Sequence, residues 1–412
     1  MTMTNTRTFF TVLALLCGFG LLAADARADT GAEQALRKDV ETLSSEAFEG
    51  RGVGTAGLER ACEYLENRFE EAGLRPFGDD GYRQAFDGPN GTTLVNLIGV
   101  LGKPDGGRHV IVGAHYDHLG LGEPGDANEG KLHPGADDNA SGVAALLECA
   151  RRLAGEGELE HAVVFVAFSG EEKGLLGSAY YVDHAVVPLT DCTAMINLDT
   201  VGRLFDGPLT VFGANTGVGL SHVLQGVNYG FKFELELPEK DVGGSDQTSF
   251  VRRGVPAVQI FTGPHADYHR PSDTADKIDY EGLDRVAGFT TELLIYLADR
   301  DELLSFVPPG AEKAAAPPGA GGRGRRVSFG SIPDFNYSGE GVRVSGVIPG
   351  SPAEKAGLEA GDVLVEFAGV AVDDLRSFSD ILKGLSPGEE VDVVFLRDGE
   401  RHTATTTVVE RK

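Results

Sequence analysis

Four runs in this 412-residue chain carry almost no polar face: "HVIVGAH" (109–115), "HAVVFVAFS" (161–169), "TAMINLD" (193–199) and "VPAVQIF" (255–261). A run of that length and composition suits a strand covered on both sides, which is the situation of a parallel sheet packed between helices. Between the first two lies "SGVAALLECARRLAG" (141–155), whose Val143, Leu146, Leu147, Ala150 and Leu153 recur at helical spacing. It reads as a crossover helix, and parallel neighbours need one. "AGLERACEYLENRFEEAGL" (56–74) and residues 281–299 supply further amphipathic helices. Residues 30–300 are therefore expected to form an α/β domain with a mostly parallel central sheet flanked by helices.

Each run stops at groups that cost energy to bury. The first ends in His115 and Asp117, the second in Glu171 and Glu172, the third in Asp199, and the fourth is followed by "GPHADYHRPSDT" with His265 and His269. The crevice beyond the carboxyl ends of the strands is where open α/β sheets bind ligands, so one pocket could collect all of these side chains. "PGADDNASG" (134–142) leads into the crossover helix and adds Asp137 and Asp138, of which helix capping accounts for only one. Adjacent residues of an extended segment point in opposite directions, so Glu171 and Glu172 are expected to do different work.

Taken in order, "GAHYDHLG", "PGADDNASG", "SGEEKGLLGS", "INLDTVG" and "DYHRPSDT" resemble the M28 family of co-catalytic zinc aminopeptidases over roughly residues 40–298. The resemblance implies a zinc-peptidase type of fold and two zinc ions per chain. His115, Asp138, Glu172, Asp199 and His269 are the implied metal ligands, with Asp138 shared. It implies Glu171 as general base, Asp117 as acceptor of the His115 ring N–H, and Tyr268 as a polariser of the scissile carbonyl. Three carboxylate ligands would offset three of the four charges of two Zn(II) ions. His, Asp and Glu without thiolate suit a hydrolytic zinc pair, and Mn(II) or Co(II) accept the same donors. One departure stands out: Gln247, in "GGSDQTSF", occupies a place where many relatives carry histidine. The implied activity is removal of N-terminal residues from peptide substrates. A glutaminyl-cyclase-like enzyme with a single zinc, a carboxypeptidase on the same fold, and a catalytically dead peptide-binding module are the alternatives.

Beyond the α/β region, "VPPGAEKAAAPPGAGGRGRR" (307–326) loses periodicity, so residues 301–326 read as a Pro/Gly/Ala-rich linker. Residues 327–410 resemble a bacterial PDZ domain through "GVIPGSPAEKAGLEAGDVLVEFAGV" and "VVFLRDG", which implies a small β-rich unit with a groove for a peptide or protein ligand. Pro333 limits strand pairing near that groove, and "SPAEKAGL" (351–358) carries a capping box of Ser351 and Glu354.

At the other end, Arg7, an apolar stretch from Phe9 to about Ala24 and Ala26-Arg27-Ala28 read as a signal peptide (1–28). The expectation is an exported protein of bacterial type, periplasmic or extracellular, with no stable membrane insertion after cleavage. A formal charge of −27 opposes phosphate backbones and argues against nucleic acid as a partner. Cys62, Cys149 and Cys192 remain after cleavage, an odd number without any C-x-x-C, and Cys62 and Cys149, on apolar faces of expected helices, read as core residues.

Overall fold

The computed structural model describes residues 30–410 except 105–106, 123–127, 129, 157–158, 239–243, 301, 309–326, 334–336, 338, 340, 374 and 398. The expected signal peptide and most of the expected linker lie outside the described residues.

Nine strands form the main sheet: β1 (Arg75–Pro76), β2 (Arg83–Asp87), β3 (Thr93–Leu101), β4 (His109–His115), β5 (Ala162–Phe168), β6 (Cys192–Leu198), β7 (Leu209–Phe212), β8 (Leu235–Glu236) and β9 (Ala257–Phe261). Their order is β1-β3-β5-β4-β6-β9-β7-β8, with β2 also paired to β3. The four apolar runs are the central β5-β4-β6-β9 and pair in parallel. The sheet as a whole is mixed, because β3 runs antiparallel to β5 and β7 antiparallel to β9. Every residue of β4, β5 and β6 is buried, which is why these strands show no alternation in the sequence.

Helices α1 (Gly31–Leu43), α2 (Ala56–Glu71), α3 (Gly142–Gly155), α4 (Leu176–Asp183), α5 (Leu220–Phe231), α6 (Gln247–Arg252) and α7 (Tyr280–Ala298) accompany the sheet. Buried Leu146, Leu147, Ala150 and Leu153 of α3 share one core with Val110 and Val112 of β4 and Val286, Phe289 and Leu293 of α7. A second core joins Ile111, Val164 and Met195 to Phe250 of α6. From β4 the chain crosses by α3 to β5 on one side and then returns to β6 on the other. The carboxyl end of β4 is thus the point where strand order reverses, and the crevice opens there.

Part of the stretch expected to be linker is fastened down. Leu304 is buried in the first core, Val218 N–H donates to Ser305 O (2.9 Å) and Val307 N–H to Thr216 O (2.7 Å). Phe306 packs on the second core, so the α/β unit extends to about Val307. Polar flanks hide this strap from a periodicity reading.

The second unit contains β10 (Val327–Ser328), β11 (Ser331–Pro333), β12 (Val342–Val347), α8 (Pro352–Lys355), β13 (Val363–Phe367), β14 (Val370–Ala371), α9 (Leu375–Gly384), β15 (Glu390–Arg397), β16 (Glu400–Thr407) and β17 (Val409–Glu410). Phe329, Phe367 and Phe378 meet edge to face at its centre. Register slips between Ile332 and Pro333, where the missing N–H interrupts the ladder. Ser351 caps α8 through the Glu354 N–H, but the Glu354 carboxylate reaches back to Gly350 N–H (2.6 Å) instead of closing the expected box on Ser351.

Candidate metal centre

The 134–142 loop turns Asp138 into the crevice by irregular backbone. Gly135 adopts φ 56°, and a Cβ there would lie 2.2 Å from Asp138 O and 2.5 Å from the His118 ring, so only glycine lets the loop close this tightly. Asp138 itself sits at φ −107°, ψ 94°, and its peptide bond to Asn139 is cis. Asn139 Oδ1 then accepts from Gly142 N–H (3.1 Å) and Thr200 N–H (3.2 Å), serving as the cap of α3 and tying the loop to the end of β6. Across the crevice, β5 does not continue as an extended segment. Gly170 at φ 79° breaks it, and Glu171–Lys173 form a single 3₁₀ turn.

Two groups of donors converge on Asp138. His115 Nε2 lies 3.4 Å from Asp138 Oδ1 and 3.5 Å from Asp199 Oδ1. His269 Nε2 lies 3.0 Å from Asp138 Oδ2 and 3.3 Å from Glu172 Oε2. Tetrahedral zinc with bonds of about 2.0–2.1 Å holds its ligands roughly 3.3–3.4 Å apart. Charge-assisted hydrogen bonds between such groups are about 2.7–2.9 Å. The spacing therefore fits ligands around a cation better than a directly bonded cluster. Asp138 is 2% exposed, and among the described residues the His269 ring nitrogen, at 3.0 Å, approaches its Oδ2 without hydrogen-bond geometry. A buried anionic oxygen of that kind is costly unless a cation meets it. His115, Asp138 and Asp199 could thus hold a metal ion, and so could Asp138 and Glu172 with His118, whose ring meets that of His269. His269 stands at φ 54°, a left-handed conformation that costs a residue with a Cβ.

The supports differ in part from the sequence expectation. The Asp117 carboxylate is 3.9 Å from His115 Nδ1, and the ring nitrogen instead lies 3.2 Å from the Asp117 carbonyl oxygen. The carboxylate turns away to accept Glu171 N–H (3.0 Å) and Glu172 N–H (3.3 Å). It holds the two glutamates in place, because the tight 3₁₀ turn presents its free N–H groups to this buried anion. Tyr268 lies over the His269 ring, with centroids 3.9 Å apart, and is half-exposed at the mouth of the site. His265 pairs with Asp137 (3.0 Å) beside the ligand cluster.

Three further residues support the site, of which Asp273 and Arg51 escaped the sequence reading. His118 Nδ1 donates to Glu172 Oε1 at 2.7 Å and orients that carboxylate. Asp273 accepts from the N–H groups of Asp137 (2.9 Å) and Asp138 (3.1 Å). Arg51 is fully buried; its Nε donates to Tyr116 O, Nη1 to Leu43 O and Pro134 O, and Nη2 to Gly135 O. One guanidinium thereby joins the end of β4 to the loop before Asp138. Burial lowers its pKa to about 10, opposed by Asp138, Asp117 and Asp273. The only sequence signal for Arg51 is a lone basic residue in "FEGRG", since its partners are backbone atoms.

Burial pushes the Glu171 carboxyl up to about 10, with His115 opposing and Asp246, Asp199 and Glu172 adding to the rise. Burial likewise raises Asp246 to about 7. For Asp138, burial is outweighed by His115 and His269, which hold it well below the usual carboxylate range. This concentration of anions is what divalent cations would neutralise.

The model of peptidase family M28 matches residues 96–294, and that of the PDZ domain residues 324–408. Aminopeptidase YwaD of Bacillus subtilis is 31% identical over 229 residues, 51% of this chain and 46% of that protein. A probable leucine aminopeptidase of Arthroderma otae is 31% identical over 201 residues, 45% of this chain and 53% of its own length. The match thus spans only about half of the length of these two relatives. Among solved structures, a glutaminyl cyclase of Porphyromonas gingivalis superposes with a TM-score of 0.56 at 23% identity, covering 65% of this chain and 99% of that one. A Zn-dependent exopeptidase of Parabacteroides distasonis gives 0.54 at 20% identity, covering 65% and 98%. At these identities the structural likeness establishes the fold alone.

Proposed function

We propose, from the premise that residues 96–294 belong to peptidase family M28 and residues 324–408 to the PDZ domains, that this chain is an exported metallo-aminopeptidase working with two zinc ions. The observation that carries this reading is the pair of donor groups on the two oxygens of Asp138, at ligand-to-ligand spacing. His115, Asp138 and Asp199 would hold one ion, and His269, Asp138 and Glu172 the other. When bound, zinc supplies Lewis-acid polarisation and lowers the pKa of water. Glu171 takes the proton of the attacking water and delivers it to the leaving amine. Asp117 keeps Glu171 in reach by gripping its backbone, and His118 keeps Glu172 turned to its ion. Tyr268, at the mouth, donates its hydroxyl to the scissile carbonyl. Among the described residues no helix is long and apolar enough to cross a membrane.

The free N-terminal amine of a peptide is recognised by the surrounding carboxylates, so hydrolysis should require it. On a matched pair of peptides, acetylation removes the positive charge and the lone pair together, and the rate should fall to background. Equal cleavage of free and acetylated peptides contradicts the exopeptidase reading.

All proposed ligands lie on the α/β unit. A chain ending after Pro308, which keeps the Leu304–Val307 strap, should hydrolyse a small aminoacyl substrate at a nearly unchanged kcat. Its KM for long peptides should rise if the PDZ groove captures them, because tethering raises local concentration. A folded, metal-loaded truncation that fails on the small substrate would show that the second unit completes the site.

A further inference from the structure

A line of buried amides runs up to the metal centre from below. Asn197 on β6 and Gln259 on β9 are paired across neighbouring parallel strands, and Gln247 opens α6 beside them. Asn197 Nδ2 donates to Ser245 Oγ (2.8 Å) and Gln247 Oε1 (3.3 Å). Gln247 Nε2 donates to Gln259 Oε1 (3.0 Å), and Gln259 Nε2 donates to Asp199 Oδ2 (3.3 Å). Asn197 and Gln247 are fully buried and Gln259 is 7% exposed. Asp199 is the end that fixes the direction. Its carboxylate only accepts, so Gln259 must present its NH₂; its carbonyl then faces Gln247, which must in turn present NH₂ and show its own carbonyl to Asn197.

We infer that Asn197, Gln247 and Gln259 form a directional amide relay that positions Asp199 for the ion it shares with His115 and Asp138. The inference rests on the two-zinc reading above. Asp199 Oδ2 is taken by Gln259, which leaves Oδ1 on the His115 side, 3.5 Å from His115 Nε2, where Thr200 Oγ1 also donates to it (2.9 Å). With Gln259 on one oxygen and Thr200 on the other, the carboxylate is held with Oδ1 turned to the His115 side, where a remaining lone pair could meet the metal. An amide suits this place because it supplies a donor without adding charge to a pocket that already holds Asp199, Asp246 and Glu171. Gln247, the departure from the family pattern, acts through Gln259 and touches neither metal nor substrate; all three amides are positioning residues.

The test is stepwise zinc affinity by chelator competition, with the thermal stability of the metal-free protein as control. Asp199→Asn identifies which step belongs to the His115 and Asp199 ion. Gln259→Met, which keeps volume but removes the donor, should weaken that step by about 10- to 100-fold, the usual cost of losing a hydrogen bond to a ligand, and leave the other step unchanged. Gln247→Met should weaken the same step less, and the double variant should be no worse than Gln259→Met, since the first amide acts only through the second. Gln247→His should retain wild-type affinity, because imidazole also donates at one nitrogen and accepts at the other. Unchanged affinity in Gln259→Met, equal weakening of both steps, or multiplying losses in the double variant would overturn the relay. Should Gln259→Met fail to fold, Gln247→Met against Gln247→His decides: loss in the first with retention in the second supports the relay, and equal behaviour overturns it. A wild-type protein with a single zinc step instead removes the two-zinc reading, and the relay with it.

Discussion

Glu171→Gln is expected to lower kcat by about 10²- to 10⁴-fold, the contribution of a positioned general base, with zinc content unchanged. The reason lies in how the 3₁₀ turn divides two neighbouring carboxylates. Glu172 meets His118 and His269 on the side of one ion. Glu171 appears in neither donor group, yet it is crowded by Asp199, Asp246 and Glu172, which with burial raises its affinity for a proton. A glutamine keeps the shape and the Asp117 grip on the backbone but cannot take the proton. KM should change far less than kcat, as for a group that acts mainly in the transition state. Glu172→Ala should do the reverse and empty one metal position first. If Glu171→Gln strips zinc and Glu172→Ala does not, the two roles are exchanged.

Asp138→Ala should abolish activity at least as completely and by a different route. Its two oxygens face separate donor groups, so removing one side chain takes a ligand from each ion at once. His115 and Asp199 are left on one side, His269 and Glu172 on the other, and two ligands per ion hold zinc far more weakly than three. Zinc retained per purified chain should fall towards zero, whereas Asp199→Ala should leave about one. Retention of both ions in Asp138→Ala would mean that the donor groups do not share this carboxylate.

How far the molecule was legible follows from what each residue touches. β4, β5, β6 and β9 announce themselves because strands covered on both faces are apolar along nearly their whole length, the buried Asn197 and Gln259 being the exceptions that the amide line uses. The antiparallel flank was less visible: β3 is also an apolar run, but nothing in it states which neighbour it takes or in which direction. The Leu304–Val307 strap was read as tether because its few apolar residues, of which Leu304 and Phe306 pack on the cores, stand in no regular period before a Pro-rich stretch. In the site, His115, Glu171, Glu172 and Asp199 stand out because charged groups end apolar runs, whereas the choice of His115, Asp138, Glu172, Asp199 and His269 as a ligand set came from the resemblance to the M28 family. Asp117, by contrast, grips backbone N–H groups 54 and 55 residues away, and Arg51 grips carbonyls as far as 84 residues away. Backbone partners have no residue type, so no sequence pattern records them. The Asn197, Gln247 and Gln259 line was hidden for a related reason: three ordinary polar residues become a unit only once β6, β9 and α6 bring them together.

The account stands most directly on the number of ions the site needs. Metal-free protein should be titrated with zinc while hydrolysis of a small free-amine aminoacyl substrate is followed. Activity is expected to reach its full value only at about two equivalents per chain and to vanish again with excess chelator, as two donor triads sharing Asp138 require. Full activity at one equivalent, with no further gain from the second, would contradict the two-ion site and favour a single-zinc enzyme of the glutaminyl-cyclase kind.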